Sequence, residues 1–264
     1  RGKSVFTDRQ PLKVNMKFSP EGRTLMSGIQ TKIAVRVTDD LQRGIPVSAV
    51  VRNNRGDSVA SFNTTPAGLG SFELTPAAGA RYYVLYNDNI TYLPLPADEG
   101  CAMRTEHIGR ENIAITITEN GNSYSSENRE YILLIHSGGS TGYSEHFSIP
   151  GLSRTIIVPK RILREGVNQI TLFNEKMNPV CERFIHTGLA DKVMGISVQM
   201  SDNYQRREKV TLDLAVASYA GEGSRVSDLS ISVIPAEYSG RDIGMETYLN
   251  FGTEFGYLPW QFSG

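Results

Sequence analysis

Apolar and polar side chains alternate along much of the chain. In KIAVRVTDD, Ile33, Val35 and Val37 fall on one side, and Lys32, Arg36 and Thr38 on the other. Successive side chains of an extended strand point to opposite faces, so this spacing predicts strands with one face buried. NIAITIT repeats the pattern through Ile113, Ile115 and Ile117. KVTLDLAV does so through Val210, Leu212, Leu214 and Val216, and DLSISVI through Leu229, Ile231 and Val233. Helical periodicity is scarce, and its best candidate, Asp242 to Phe251, is short and interrupted by Gly244. Between the runs lie clusters such as SPEGR, DLQRGIP, TPAGLGS, SGGSTG and NEKMNP, whose Gly, Pro, Asn and Asp residues permit left-handed backbone or preset a bend. Short strands punctuated this often predict an all-β chain of sandwiches or barrels. With no crossover helices to return the chain, the sheets are expected to be antiparallel.

Two stretches carry side chains that could meet a partner. NNRGDS lies between the apolar runs Pro46 to Val51 and Val59 to Asn63, which predicts a hairpin with Gly56 or an Asn in the left-handed position. Its tip, Arg55-Gly56-Asp57, also spells an integrin-type adhesion signal, and a hairpin tip is displayed to solvent. In RYYVLY, alternation puts Tyr82, Val84 and Tyr86 on one face and Tyr83 and Leu85 on the other, with Tyr92 close by. One set is expected in the core and the other, with Tyr83 and Tyr92, on an exposed or interdomain patch. A sugar-binding platform is the competing reading.

The proline-containing stretch TYLPLPADEG closes a first apolar set, and TGLADK closes a second. The expected organisation is a tail or linker over 1–10, sandwiches over 11–98 and 99–188, and a third, whole or truncated, over 189–264. The first and third sets share a rhythm: TKIAVRV, DDLQRGIP and VSAVV in one, EKVTLDL, SYAGEGSR and VSDLSISV in the other. That rhythm suggests one sandwich unit used more than once.

With 264 residues, 39% of them hydrophobic, the chain is long enough to bury several cores. A net charge of -1 gives no concentrated basic face, which argues against nucleic acid as a partner. No stretch approaches the roughly 20 apolar residues that span a bilayer. The polar opening RGKSVFTDRQ is expected to belong to a processed or excised piece.

Catalytic signatures are not found. The four histidines, His107, His136, His146 and His186, lack helical zinc spacing, although His136 and His146 flank one turn and could face each other across it. SGGSTG has neither a Walker lysine nor a following helix, and no Gly-x-Ser-x-Gly elbow occurs. Neither a catalytic residue nor a cofactor or metal is expected. Cys101 and Cys181 are too few for a disulfide scaffold, and they either pair across one domain or stay as thiols. Asn63-Thr64-Thr65 and Asn89-Ile90-Thr91 are glycosylation sequons only on a eukaryotic secretory route.

The first set resembles the macroglobulin-like β-sandwich repeats of large cell-envelope proteins of Gram-negative bacteria, which are related to alpha-2-macroglobulin. The family opening F-x-P-E-G-G is matched by Phe18, Pro20, Glu21 and Gly22, with Arg23 in place of the second glycine. Lys32, Asp39, Gly44, Pro46, Gly56, Val59, Ala60 and Phe62 continue the match, as do Gly68, Gly70, Phe72, Pro76, Gly79 and Tyr82. In the second set YILLIHSGG, Val158-Pro159-Lys160, Leu163, Gly166 through Phe173 and Pro179 to Arg183 are similar to the domain that follows in those proteins. REKVTLDLAV, DLSISV and TYLNFGTEFGYL resemble the start of another such domain.

The resemblance implies tandem immunoglobulin-like, macroglobulin-like antiparallel β-sandwiches in a periplasmic, outer-membrane-associated or extracellular setting. It also implies a non-catalytic role in contacts with a protein partner or with other domains of a longer chain. These motifs are mostly glycines, prolines and core residues, so they specify fold better than function. The complement-type thioester sequence Cys-Gly-Glu-Gln is absent, so covalent trapping does not carry over. A fragment of a protease inhibitor of the alpha-2-macroglobulin kind, and a carbohydrate- or ligand-binding module, are the alternatives.

Overall fold

The computed structural model describes residues 14–120, 129–188, 195–201, 203–217, 228–229, 231, 233–235, 252–253 and 256–257. The chain divides into two compact units, residues 1–187 with 242–264, and residues 188–241. The expected tail over 1–10 and the helical candidate at 242–251 lie outside the described residues. The described part is all-β, built of antiparallel sheets in tandem sandwiches.

Seven strands make the first sandwich: β1 (Asn15–Pro20), β2 (Thr31–Thr38), β3 (Ser48–Asn53), β4 (Ser58–Asn63), β5 (Leu69–Leu74), β6 (Tyr82–Tyr86) and β7 (Asn89–Tyr92). They pair in the orders β1-β2-β5 and β4-β3-β6-β7. Both sheets turn their apolar positions inward, so Ile33, Val35 and Val37 of β2 meet Val51 and Val84 of the facing sheet in one core. Phe18, Phe62 and Phe72 form its aromatic centre, with ring centroids 5.6–6.2 Å apart. Tyr82 and Val84 are buried and Leu85 is exposed, as alternation requires. The Tyr82 hydroxyl accepts a 2.9 Å bond from the Ala77 N–H, which gives its polar end a partner. Thr38 departs from the expected pattern and is buried, because the following loop folds back and bridges it to Gly44.

The second sandwich contains β8 (Cys101–Ile108), β9 (Asn112–Glu119), β10 (Glu130–Ser137), β11 (Ser140–Ser148), β12 (Ser153–Pro159), β13 (Val167–Asn174) and β14 (Pro179–His186). Its sheets run β12-β9-β8 and β11-β10-β13-β14. Ile113, Ile115 and Ile117 meet Leu133, Ile135, Ile170 and Leu172 in a separate core.

In residues 188–241, β15 (Gly195–Gln199) pairs with β16 (Asp213–Ala217). Of the apolar face expected there, Val216 is half-buried while Leu212 and Leu214 are each 36% exposed. Val210 is 52% exposed and outside any strand, and so are Leu229 and Ile231 at 43% and 60%.

Among the described residues one five-residue turn, capped by an Asp or Asn side chain, occurs three times, at Asp39–Arg43, Asn53–Asp57 and Asn174–Asn178. In each, the side-chain oxygen of the first residue accepts the N–H groups two and four positions on, at 2.9–3.1 Å. In each, the first N–H also donates to the fifth carbonyl and the fourth N–H to the first carbonyl. The fourth residue is left-handed every time: Gln42 at φ 63°, Gly56 at 86° and Met177 at 59°. The Asx side chain takes over hydrogen bonds that a tight turn otherwise leaves open. After two of these turns a bulge inserts one extra residue, Val59 opposite Val51/Arg52 and Val180 opposite Leu172/Phe173.

If the Asx oxygen holds the turn, Asn53→Ala and Asn174→Ala each lower unfolding free energy in urea by about 1–2 kcal/mol. Met177→Gly raises it by about 1 kcal/mol and Gly56→Ala lowers it by a similar amount, because only glycine adopts this backbone without strain. A methyl group at Gly56 would touch nothing within 4 Å, so the backbone alone is tested.

The same turn supplies a pH test. Burial opposes ionisation at Asp39, but the N–H and guanidinium of Arg43 and the N–H of Leu41 outweigh it and hold the carboxyl below its usual range. A lowered folded pKa gives stability that is present above the unfolded value and is lost as pH falls through the folded one. Asp39→Asn is expected to flatten the acid limb of a stability–pH curve below about pH 4, the ordinary carboxylate range.

Candidate functional site

The Arg55-Gly56-Asp57 tip is exposed, and its charged groups bond to one another and to the turn. Arg55 Nε lies 3.4 Å from Asp57 Oδ2, and Asn53 Nδ2 donates to the same oxygen at 3.0 Å. Arg52 reaches over to donate to the Gly56 carbonyl at 2.8 Å. Lys176-Met177-Asn178 and Leu41-Gln42-Arg43 occupy the same backbone positions in the sister turns. The three-letter string therefore fits the demands of the turn, with Gly56 in its left-handed position.

Tyr83 and Tyr92 lie on the outer face of the β4-β3-β6-β7 sheet, with Tyr82 buried on the inner one. Tyr83 pairs with Tyr92 across β6 and β7, with ring centroids 6.1 Å apart and planes at 55°. Leu85 and Ile90 are the next pair outward, 52% and 53% exposed, and Arg52 of β3 stands opposite Tyr83. Val50 and Val59 extend the exposed apolar surface. Alternation had already set Leu85 beside Tyr83, but Ile90 could be added only once the Asn87-Asp88 turn fixed the register of β7.

His136 and His146 do not face each other. A two-residue turn and a bulge after Ile135 set the register so that His136 lies opposite Thr141 and His146 opposite Ile132. His146 Nε2 sits 3.0 Å from Glu130 Oε2 instead. Cys101 and Cys181 are brought together across the second sandwich, as free thiols with sulfurs 3.6 Å apart.

A buried carboxylate joins the two sandwiches, and sequence reasoning named it only as a motif letter. Glu21 follows β1, and its side chain is 8% exposed. One of its oxygens accepts both Arg183 Nη1 and the Thr105 N–H at 2.8 Å. Burial pushes the Arg183 guanidinium down, and the Glu21 carboxylate opposes that shift. Gly22 turns the chain at φ 78°, and a side chain there would meet the Met103 backbone at 3.0 Å. Arg23 is also left-handed, at φ 85°, and reaches Glu182 at 3.5 Å. A glycine would adopt this backbone without strain.

The linker between the sandwiches is fastened to the same loop. The Ala97 N–H donates to the Leu25 carbonyl at 2.8 Å, the Ser27 N–H donates to Ala97 at 2.9 Å, and Ser27 Oγ donates to Asp98 at 2.6 Å. Beside the ion pair opens a cleft of 380 Å³, lined by Lys32 and Glu73 of the first sandwich and Arg104 and Glu106 of the second. Charges of both signs line it, so it selects no ligand charge. Among the described residues no three metal-ligating side chains converge, and no helix is long and apolar enough to cross a membrane.

No family model matches the chain, and no curated protein matches it. Among solved structures it is similar to a DUF4785 family protein from Legionella pneumophila, at 9% identity and TM-score 0.23 over 68% of this chain. It is also similar to E. coli alpha-2-macroglobulin in its native conformation, at 10% identity and TM-score 0.25 over 79% of this chain. The chain spans 59% and 17% of those two structures. Overlaps at this level carry no functional argument.

Removing the junction carboxylate with Glu21→Ala leaves the half-buried Arg183 and the Thr105 N–H without their shared acceptor. The expected loss is about 2 kcal/mol in chemical unfolding. Arg23→Gly relieves left-handed strain of about 1 kcal/mol and gives up only an exposed ion pair. Its unfolding midpoint is expected to stay level or rise.

Proposed function

We propose that this chain is a non-catalytic structural and interaction module of a larger bacterial cell-envelope protein. Its macroglobulin-like sandwiches would set spacing and mediate contacts with a protein partner or with other domains of the same longer chain. The observation that carries this reading is the Glu21–Arg183–Thr105 junction, together with the tied linker, which turns two sandwiches into one spacer of fixed geometry. The residues that resemble the family opening, Phe18 to Gly22, build that junction and the core beneath it.

The outer face bearing Tyr83, Leu85, Ile90 and Tyr92 is the surface best suited to a protein contact. Its two tyrosine rings stand at 55° and offer no shared flat platform for a sugar, so protein is preferred to carbohydrate as the partner. A periplasmic, outer-membrane-associated or extracellular setting accords with the resemblance.

Small-angle X-ray scattering of this chain tests the spacer. The wild-type curve should fit a single fixed arrangement of the first two sandwiches, and Glu21→Ala should require a broad ensemble while its far-ultraviolet spectrum stays unchanged. A wild-type curve that already demands freely hinging sandwiches would sink the proposal.

A further inference from the structure

We propose that Cys101 and Cys181 form a covalent modification site, closing to a disulfide that staples the two sheets of the second sandwich at one edge. Cys101 opens β8, an outer strand of one sheet, and Cys181 lies on β14, an outer strand of the other. No hydrogen-bonded ladder joins those two edges. The sulfurs are 3.6 Å apart, and the Cys181 thiol donates to the Cys101 carbonyl at 3.3 Å. A disulfide needs about 2.05 Å between sulfurs, so they must approach by about 1.5 Å. Each strand has a ladder on one side only, so a side-chain rotation with a small shift of an edge can supply that movement. The Val180 bulge just before Cys181 sets which face of β14 points inward, and it leaves the sulfur in the core beside its counterpart.

The bond is a two-electron oxidation and needs an acceptor, here a disulfide donor of the thiol–disulfide exchange class. One cysteine thiolate attacks a donor sulfur, forming a mixed disulfide and releasing one donor thiolate. The second cysteine, as its thiolate, attacks the first cysteine's sulfur and releases the other. Two protons leave the protein thiols, and the donor ends as a dithiol. Both side chains are buried in the folded chain, Cys101 at 5% exposure and Cys181 at 0%. The thiol of Cys181 is held far above its usual range by its hydrogen bond to Cys101 and by burial. Exchange must therefore occur while the chain is folding, before the core closes over the sulfurs. Once formed, the bond secures the strand whose next two residues, Glu182 and Arg183, hold the first sandwich through Arg23 and Glu21.

The test is refolding of the whole chain with glutathione disulfide and, separately, with a reductant, followed by alkylation in denaturant and intact-mass measurement. Oxidative refolding should give a monomer lighter by two hydrogens with no alkylatable thiol, and a melting midpoint roughly 10 °C or more above the reduced form. The Cys101→Ala, Cys181→Ala variant should melt at one temperature with or without reductant. Two alkylatable thiols after oxidative refolding would overturn the proposal, as would a cross-linked form that melts below the reduced one. The wild-type comparison decides the matter even if the double variant does not fold. The scattering test of the spacer reads a different contact, so either idea can fail alone.

Discussion

Two sandwiches that share no sheet are joined here through one carboxylate. Glu21 is taken out of water at the rim of the first core, and that desolvation is tolerable only because a guanidinium and a backbone N–H from the second sandwich meet the same oxygen. The left-handed pair Gly22-Arg23 follows directly and turns the chain against Met103. The loop that begins there also receives the linker, through Leu25, Ser27 and Ala97. Remove the carboxylate and the geometry is left to the linker's bonds to Leu25 and Ser27 and to the exposed Arg23–Glu182 pair.

The repeated Asx turn shows how little of a loop's sequence is needed to set its shape. Asp39, Asn53 and Asn174 do the same work with one oxygen and two N–H partners. The fourth position is left-handed whether it holds Gln42, Gly56 or Met177. Side-chain capping, rather than glycine, is the common requirement. Glycine at position 56 eases the backbone there without being what makes the turn.

Much of the fold can be read from residue order because its causes are local. The two-residue period of Ile33, Val35 and Val37 forecasts their burial, and the same period separates Tyr82 from Tyr83. Thr38 escapes that logic because a returning loop covers it. Val210 and Leu229, whose spacing suits a buried strand face, are exposed and lie outside the strands among the described residues. The junction was not legible, because nothing local to Glu21 points to Arg183 or Thr105. The nearness of Cys101 to Cys181 likewise depends on the register of two different sheets.

The three capped turns have a consequence for how such a surface changes over generations. Because the first residue's oxygen holds the backbone, the letters that follow it owe the fold little beyond a left-handed fourth position. A tip can drift from Lys-Met-Asn to Arg-Gly-Asp, or exchange its charge altogether, while the strands beneath remain undisturbed. Novel recognition peptides can thus be tried and discarded at these loops at almost no conformational risk to the scaffold.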